Sequence, residues 1–134
     1  MSAEPVSTAK VAWFPSLNQA GEAIALVDGE RSLTYSELNN AVMRVVAGLL
    51  NGEESLEEER VAFLYPASFD YAALIIGVVA AGGIAVPLSV HASAGELSHC
   101  LSVAGVRRLL LPSEMRSEAL DAVCEVLGVE QLAV

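Results

Sequence analysis

Few residues in this chain are of types that could carry chemistry, and none stands in a spacing that completes a reaction centre. His91 and His99 are the two imidazoles, but neither lies at a set distance from a serine and a carboxylate that would make a nucleophile, base and orienting acid. Ser89-Val90-His91 reads more simply as a loop following a strand. Asp70 and Tyr71 pair an acid with a phenol, yet Asp70 suits the first turn of a helix and Tyr71 an amphipathic cover for a core. A phosphate cradle needs a glycine-rich loop running into Lys-Ser or Lys-Thr; Gly77, Gly82 and Gly83 fall inside or at the end of a helix, with no such pair behind them. Cys100 and Cys124 lack metal-ligand spacing and both fall on predicted apolar helix faces, which predicts reduced, buried thiols. Read one by one, the residues assign no catalytic, cofactor-binding or metal-binding position.

Composition narrows the classes further. Seven basic against 17 acidic residues give a net charge of −10, the wrong sign for a partner whose phosphates must be neutralised, so nucleic acid is excluded as a partner. At 134 residues the chain has the size of one domain with a real core. A hydrophobic fraction of 54% is high for that size, and it predicts apolar surface that something else covers. The first ten residues, MSAEPVSTAK, lack the basic start and apolar run of a signal peptide, which predicts a cytoplasmic protein.

The chain is organised around residues 61–88, VAFLYPASFDYAALIIGVVAAGGIAVPL. Val61–Tyr65 is a continuous apolar run, as in a strand buried on both faces. Pro66 and Ala67 break it, and Ser68 caps a helix over Phe69–Ala81 that is apolar nearly all round. Gly82 and Gly83 stop that helix, and Ile84–Leu88 reads as a second buried strand with Pro87 near its end. Tyr71–Val90 carries no charge and is long enough to span a bilayer, but the glycine pair and Pro87 divide it into a helix and a strand. No membrane span is expected.

Elements before and after this unit follow the same logic. Residues 1–10 are expected to be disordered or loosely laid down, and a short helix after Pro15 would bring Trp13, Phe14 and Leu17 to the body. Ala23–Val27 and Arg31–Thr34 flank Asp28-Gly29, a hairpin signal. Thr34-Tyr35-Ser36-Glu37 is a capping box opening a helix. Its stripe of Leu38, Ala41, Val42, Val45, Val46, Leu49 and Leu50 is expected to lie on a sheet, with Asn51-Gly52 at its end. Residues 53–59 read as a solvated acidic loop. Ser93 and Glu96 form a second capping box, followed by a helix buried through Leu97, Leu101 and Ala104 and closed by Gly105. A strand over Val106–Leu111, a Pro112-Ser113 turn, a helix with Leu120, Val123, Cys124 and Leu127 inward, a stop at Gly128 and a strand from Gln131 complete the pattern. Strand and helix alternate. The predicted class is α/β: a mostly parallel sheet with helices on both faces and an opening β-hairpin.

Leu33-Thr34-Tyr35-Ser36-Glu37-Leu38 resembles the LTYxEL core motif of the adenylate-forming superfamily, which holds acyl-CoA synthetases, peptide-synthetase adenylation domains and luciferases. Ala23–Gly29, Glu59-Arg60-Val61-Ala62-Phe63-Leu64 and Ala80–Leu88, similar to the family's KAGxAYVPL motif, follow in the family's order and spacing. The resemblance covers residues 12–134 and implies that 11–134 is the N-terminal subdomain of an AMP-binding synthetase domain, a partial fold. The amino-acid-activating branch usually continues the PL dipeptide with Asp-Pro, whereas this chain has Ser89-Val90-His91-Ala92, which favours the acyl-CoA synthetase branch. Within that branch the wording of the motifs looks most like malonyl- and short-chain acyl-CoA ligases, and so implies fatty acid metabolism.

What the resemblance implies is a ligase. A carboxylate attacks the α-phosphorus of ATP with Mg²⁺, releasing pyrophosphate and leaving acyl-AMP, from which the CoA thiol displaces AMP. The family's Ser/Thr-Gly-rich phosphate loop and its C-terminal lysine match no stretch here, so no catalytic residue is carried over. Thr34, Tyr35, Glu37, Gly82 and Pro87 match family motifs of structural character. The 134 residues alone are therefore expected to be inactive, to bind no cofactor, to have the remainder of a synthetase chain as partner, and to self-associate. A free-standing, non-catalytic interaction module and a piece of an amino-acid adenylation domain are the alternatives.

Overall fold

The computed structural model describes residues 21–133, so the expectations for residues 1–10 and for a helix near Trp13, Phe14 and Leu17 lie outside the described residues. The chain forms two compact units: residues 21–57 with Ala67–Gly83, and Glu58–Pro66 with residues 84–133.

The first unit opens on the hairpin, with β1 (Ile24–Asp28) antiparallel to β2 (Arg31–Thr34). Asp28 keeps Arg31 as its ladder partner, so the two turn residues are Gly29 and Glu30, one place later than expected; Gly29 takes φ +65°. Helix α1 (Tyr35–Leu50) starts on the capping box: Glu37 N–H donates to Thr34 Oγ1 at 3.1 Å, and Thr34 N–H donates to Glu37 Oε1 at 2.9 Å. It ends where Asn51 turns left-handed.

Leu38, Val42, Val46 and Leu49 are buried along one stripe of α1. The neighbour of α1 within this unit is helix α2 (Phe69–Ala80), not the sheet expected from the stripe alone. Gly77 makes the approach close: a Cβ placed on it would lie 2.5 Å from Val45 Cγ1. Ser68 caps α2, its Oγ accepting from Tyr71 N–H at 3.2 Å, with Asp70 in the first turn. Gly82, at φ +88°, and Gly83 then reverse the chain, their N–H groups donating to Val79 and Val78 carbonyls.

The second unit is a four-stranded parallel sheet made of β3 (Arg60–Phe63), β4 (Ile84–Pro87), β5 (Arg108–Leu111) and β6 (Glu130–Ala133), in the order β4-β3-β5-β6. Interior strand β3 is fully buried at Val61, Ala62 and Phe63. The second predicted buried strand is corrected: β4 is an outer strand, with Ile84 41% exposed. Pro87 fits that place, since an edge tolerates a residue with no N–H for the ladder.

Helix α3 (Ala94–Ala104) begins on the Ser93–Glu96 capping box, with hydrogen bonds of 3.1 and 2.8 Å, and ends at left-handed Gly105. Helix α4 (Glu118–Leu127) is capped by Ser117, after a 3-10 turn at Ser113–Met115, and ends at left-handed Gly128. Ala62 of β3, Leu64 just beyond it, and Leu109 and Leu111 of β5 meet Leu97 and Leu101 of α3 and Leu120 and Cys124 of α4 in one core.

Cys124 is buried there as expected, but Cys100 is exposed. The inward stripe of α3 runs through Leu97 and Leu101, and Cys100 sits about 100° round the helix from Leu101. The acidic loop also differs from a wholly solvated one. Glu57 N–H donates to Ser55 Oγ, Leu56 N–H donates to the Ala81 carbonyl, and Glu59 is paired with Arg108. Among the described residues no helix is long and apolar enough to cross a membrane.

Candidate functional site

The motif residues fall into two groups. In the first, every early amide of α1 already has an acceptor: Tyr35 N–H donates to the Ala23 carbonyl and Ser36 N–H to the Gly21 carbonyl, both at 2.9 Å, while Glu37 N–H is held by Thr34 Oγ1. A helix start left open would attract an anion. Here its donors fasten the hairpin to the helix instead, and Arg31 of β2 lies 5.0 Å over the Phe69 ring at the start of α2.

The second group, Gly82 and Pro87, is divided between the two units, and each residue acts within its own. Gly82 carries the left-handed turn after α2. Pro87 stands opposite Phe63 in the β3–β4 register, and the next amide, Leu88 N–H, donates to the Phe63 carbonyl at 2.9 Å. These contacts set backbone geometry.

The other chemically capable residues stay apart. His91 and His99 are both exposed, one in the loop after β4 with its N–H donating to Ser89 Oγ and the other on α3. Asp70 lies in the first turn of α2. Among the described residues no three His, Cys, Asp or Glu side chains come together as a metal-holding group. Gly77 is engaged in helix packing and Gly82 in a turn, so neither fits a triphosphate cradle.

Among the described residues, Glu96 and Cys124 have shifted acidities, both for structural reasons. Ser93, through its backbone N–H first and its hydroxyl second, holds the Glu96 carboxyl below the usual range. Burial, aided by the Asp121 carboxylate, pushes the Cys124 thiol up, away from thiolate reactivity. Sequence reasoning missed the Glu59–Arg108 pair, whose partners lie 49 residues apart, and it missed Ser117 as a cap. Ser117 did carry a signal, a serine just before an acidic residue and an apolar helical run.

Residues 13–133 match the model of the family described as AMP-binding enzyme. The chain belongs to the AMP-binding enzymes. Among relatives in this family, a CoA ligase of Gibberella moniliformis is 31% identical over 117 residues, covering 83% of this chain and 20% of that ligase. Cyclosporin synthetase of Tolypocladium inflatum is 32% identical over 102 residues, covering 75% of this chain and 1% of the synthetase. O-succinylbenzoate coenzyme A synthetase of Bacillus subtilis, solved with AMP, shares the fold with a TM-score of 0.76 at 21% identity, over 90% of this chain and 30% of that one. The chain thus spans a fifth or less of these curated relatives, and the adenylate-forming fold it shares is α/β with a parallel sheet.

Proposed function

We propose that this chain is the N-terminal scaffold segment of a cytoplasmic AMP-forming acid–CoA ligase, one that converts a carboxylate and ATP to acyl-AMP and then to an acyl-CoA thioester. The observation that carries the reading is the family match over residues 13–133, set beside relatives several times longer. In this reading Thr34, Tyr35, Glu37, Gly82 and Pro87 shape the backbone and touch no substrate. ATP, Mg²⁺ and CoA are held by parts of the polypeptide outside these residues. The partner is that remaining polypeptide, and in its absence outer strands β4 and β6 offer unpaired edges to a second copy.

Ser89-Val90-His91-Ala92 after Pro87-Leu88 supports the CoA-ligase branch, whereas the likeness to cyclosporin synthetase keeps an amino-acid adenylation role as the second reading. Expression of the native gene separates the two. A product that forms thioesters from carboxylates, dependent on both ATP and CoA, supports the ligase. A product that exchanges pyrophosphate only with amino acids and ignores CoA favours the second reading, and a native product of only 14.0 kDa supports a free-standing module.

A further inference from the structure

A cavity of about 200 Å³ lies in the second unit at the carboxyl ends of the strands, and nothing above gives it a role. Its walls come from the segments that follow three successive strands: Leu64 after β3, Val90 after β4, and Met115 after β5, closed by Leu97 of α3 and Leu120 of α4. The strand order gives this place its meaning. β3 connects onward to β4 on one side, while β5 connects onward to β6 on the other, so the connections diverge between neighbours β3 and β5. In open parallel sheets the crevice outside the carboxyl ends at such a divergence is where ligands bind.

We infer that this cavity is a binding site for a small apolar molecule, the size of one aromatic ring or a short branched alkyl group. Size and lining set the class together. An apolar cavity of about 150 Å³ in a protein core takes up benzene, so this half-open cleft of about 200 Å³, lined by the side chains of Leu64, Val90, Leu97, Met115 and Leu120, has room for a substituted ring. The side chains on the wall are apolar apart from that of Ser117, and the rest of the wall's polar surface is backbone. Among the described residues it carries one hydroxyl, that of Ser117, whose Oγ already accepts from Leu120 N–H at 3.1 Å. A charged ligand would exchange its hydration for these walls at a net loss. The site is independent of the ligase reading, since it rests on the sheet order and the cavity alone.

Toluene is the probe, and the 134-residue chain labelled with ¹³C at the methionine methyls is the reporter. Met115 lines the cavity and Met43 sits on α1 in the other unit, which makes it an internal control. Titration with toluene is expected to move the Met115 methyl resonance to a plateau while leaving Met43 unmoved, and Ala92→Leu, which fills the cavity, is expected to abolish the shift. Ala119→Leu serves the same purpose if Ala92→Leu unfolds the chain. A Met115 resonance that does not move, moves in step with Met43, never saturates, or still responds in the folded filled variant would overturn the site. So would a Met115 shift on dilution without toluene, because a second copy of the chain would then be the occupant.

Discussion

Arg108 grips Glu59 with two nitrogens, Nε at 2.8 Å from one carboxylate oxygen and Nη2 at 3.1 Å from the other, tying the amino end of β5 to the residue that leads into β3. Both side chains are about four-fifths shielded from water, which lifts the pair above an ordinary surface contact. In a double-mutant cycle with Glu59→Gln and Arg108→Gln, we expect a coupling of about 1 kcal/mol in urea unfolding. Arg108→Lys should lose most of it, because an ammonium cannot make the two-pronged contact. Additive single effects would mean that the pair contributes nothing.

Gly77 and Val45 set how closely α1 and α2 pack. A methyl at Gly77 would lie 2.5 Å from Val45 Cγ1 and 2.7 Å from Val45 Cβ, distances that force one helix to move. Gly77→Ala is therefore expected to destabilise by roughly 1–3 kcal/mol despite the better helix propensity of alanine. Adding Val45→Ala should restore part of the loss. Thermal unfolding of the two single variants and the double variant measures this, and a Gly77→Ala chain as stable as the parent would contradict the close approach.

Thr34→Ala removes the acceptor for Glu37 N–H and should cost about 1 kcal/mol in chemical denaturation. Thr34→Ser keeps the oxygen and should cost little. An unchanged midpoint for Thr34→Ala would show that the helix start is held by the Ala23 and Gly21 carbonyls alone.

Local signals were the readable ones. Both capping boxes, the helix stops at Asn51, Gly105 and Gly128, and the stripe through Leu38, Val42, Val46 and Leu49 depend on residues a few places apart, and they stand where their spacing puts them. What escaped depends on pairing at a distance. Ile84–Pro87 has the composition of a buried strand, but its exposure follows from lying beyond β3 in the strand order, which no local pattern encodes. The partner of the α1 stripe and the partner of Glu59 were hidden for the same reason. Cys100 was misplaced by one position on a helix, where a single step turns a side chain by about 100°. In the motif groups the residue identities were legible from the resemblance, while the engagement of every early α1 amide was not, because it needs the hairpin carbonyls in place.

The two thiols should behave differently. Cys100 is exposed and should react with an aromatic disulfide at the rate of a solvent thiol, while buried Cys124, its thiol pushed up by burial, should react only on unfolding. Because that acidity is weakened by folding, the neutral thiol supports stability fully below the ordinary thiol range of about 8.5, and the support fades as pH climbs through the raised value. Two thiols titrating at one fast rate in the folded chain would contradict the burial of Cys124.

The central claim is that these 134 residues are scaffold for chemistry performed by the rest of a longer polypeptide. Carboxylate-dependent exchange of labelled pyrophosphate into ATP, measured on the purified chain with Mg²⁺ across a panel of short-chain, aromatic and amino acids, tests it most directly. The expected result is exchange at the background rate of a protein-free control for every acid. Exchange above that background with any one carboxylate, lost on omitting the acid and proportional to the amount of chain, would contradict the claim and place an adenylating site within these residues.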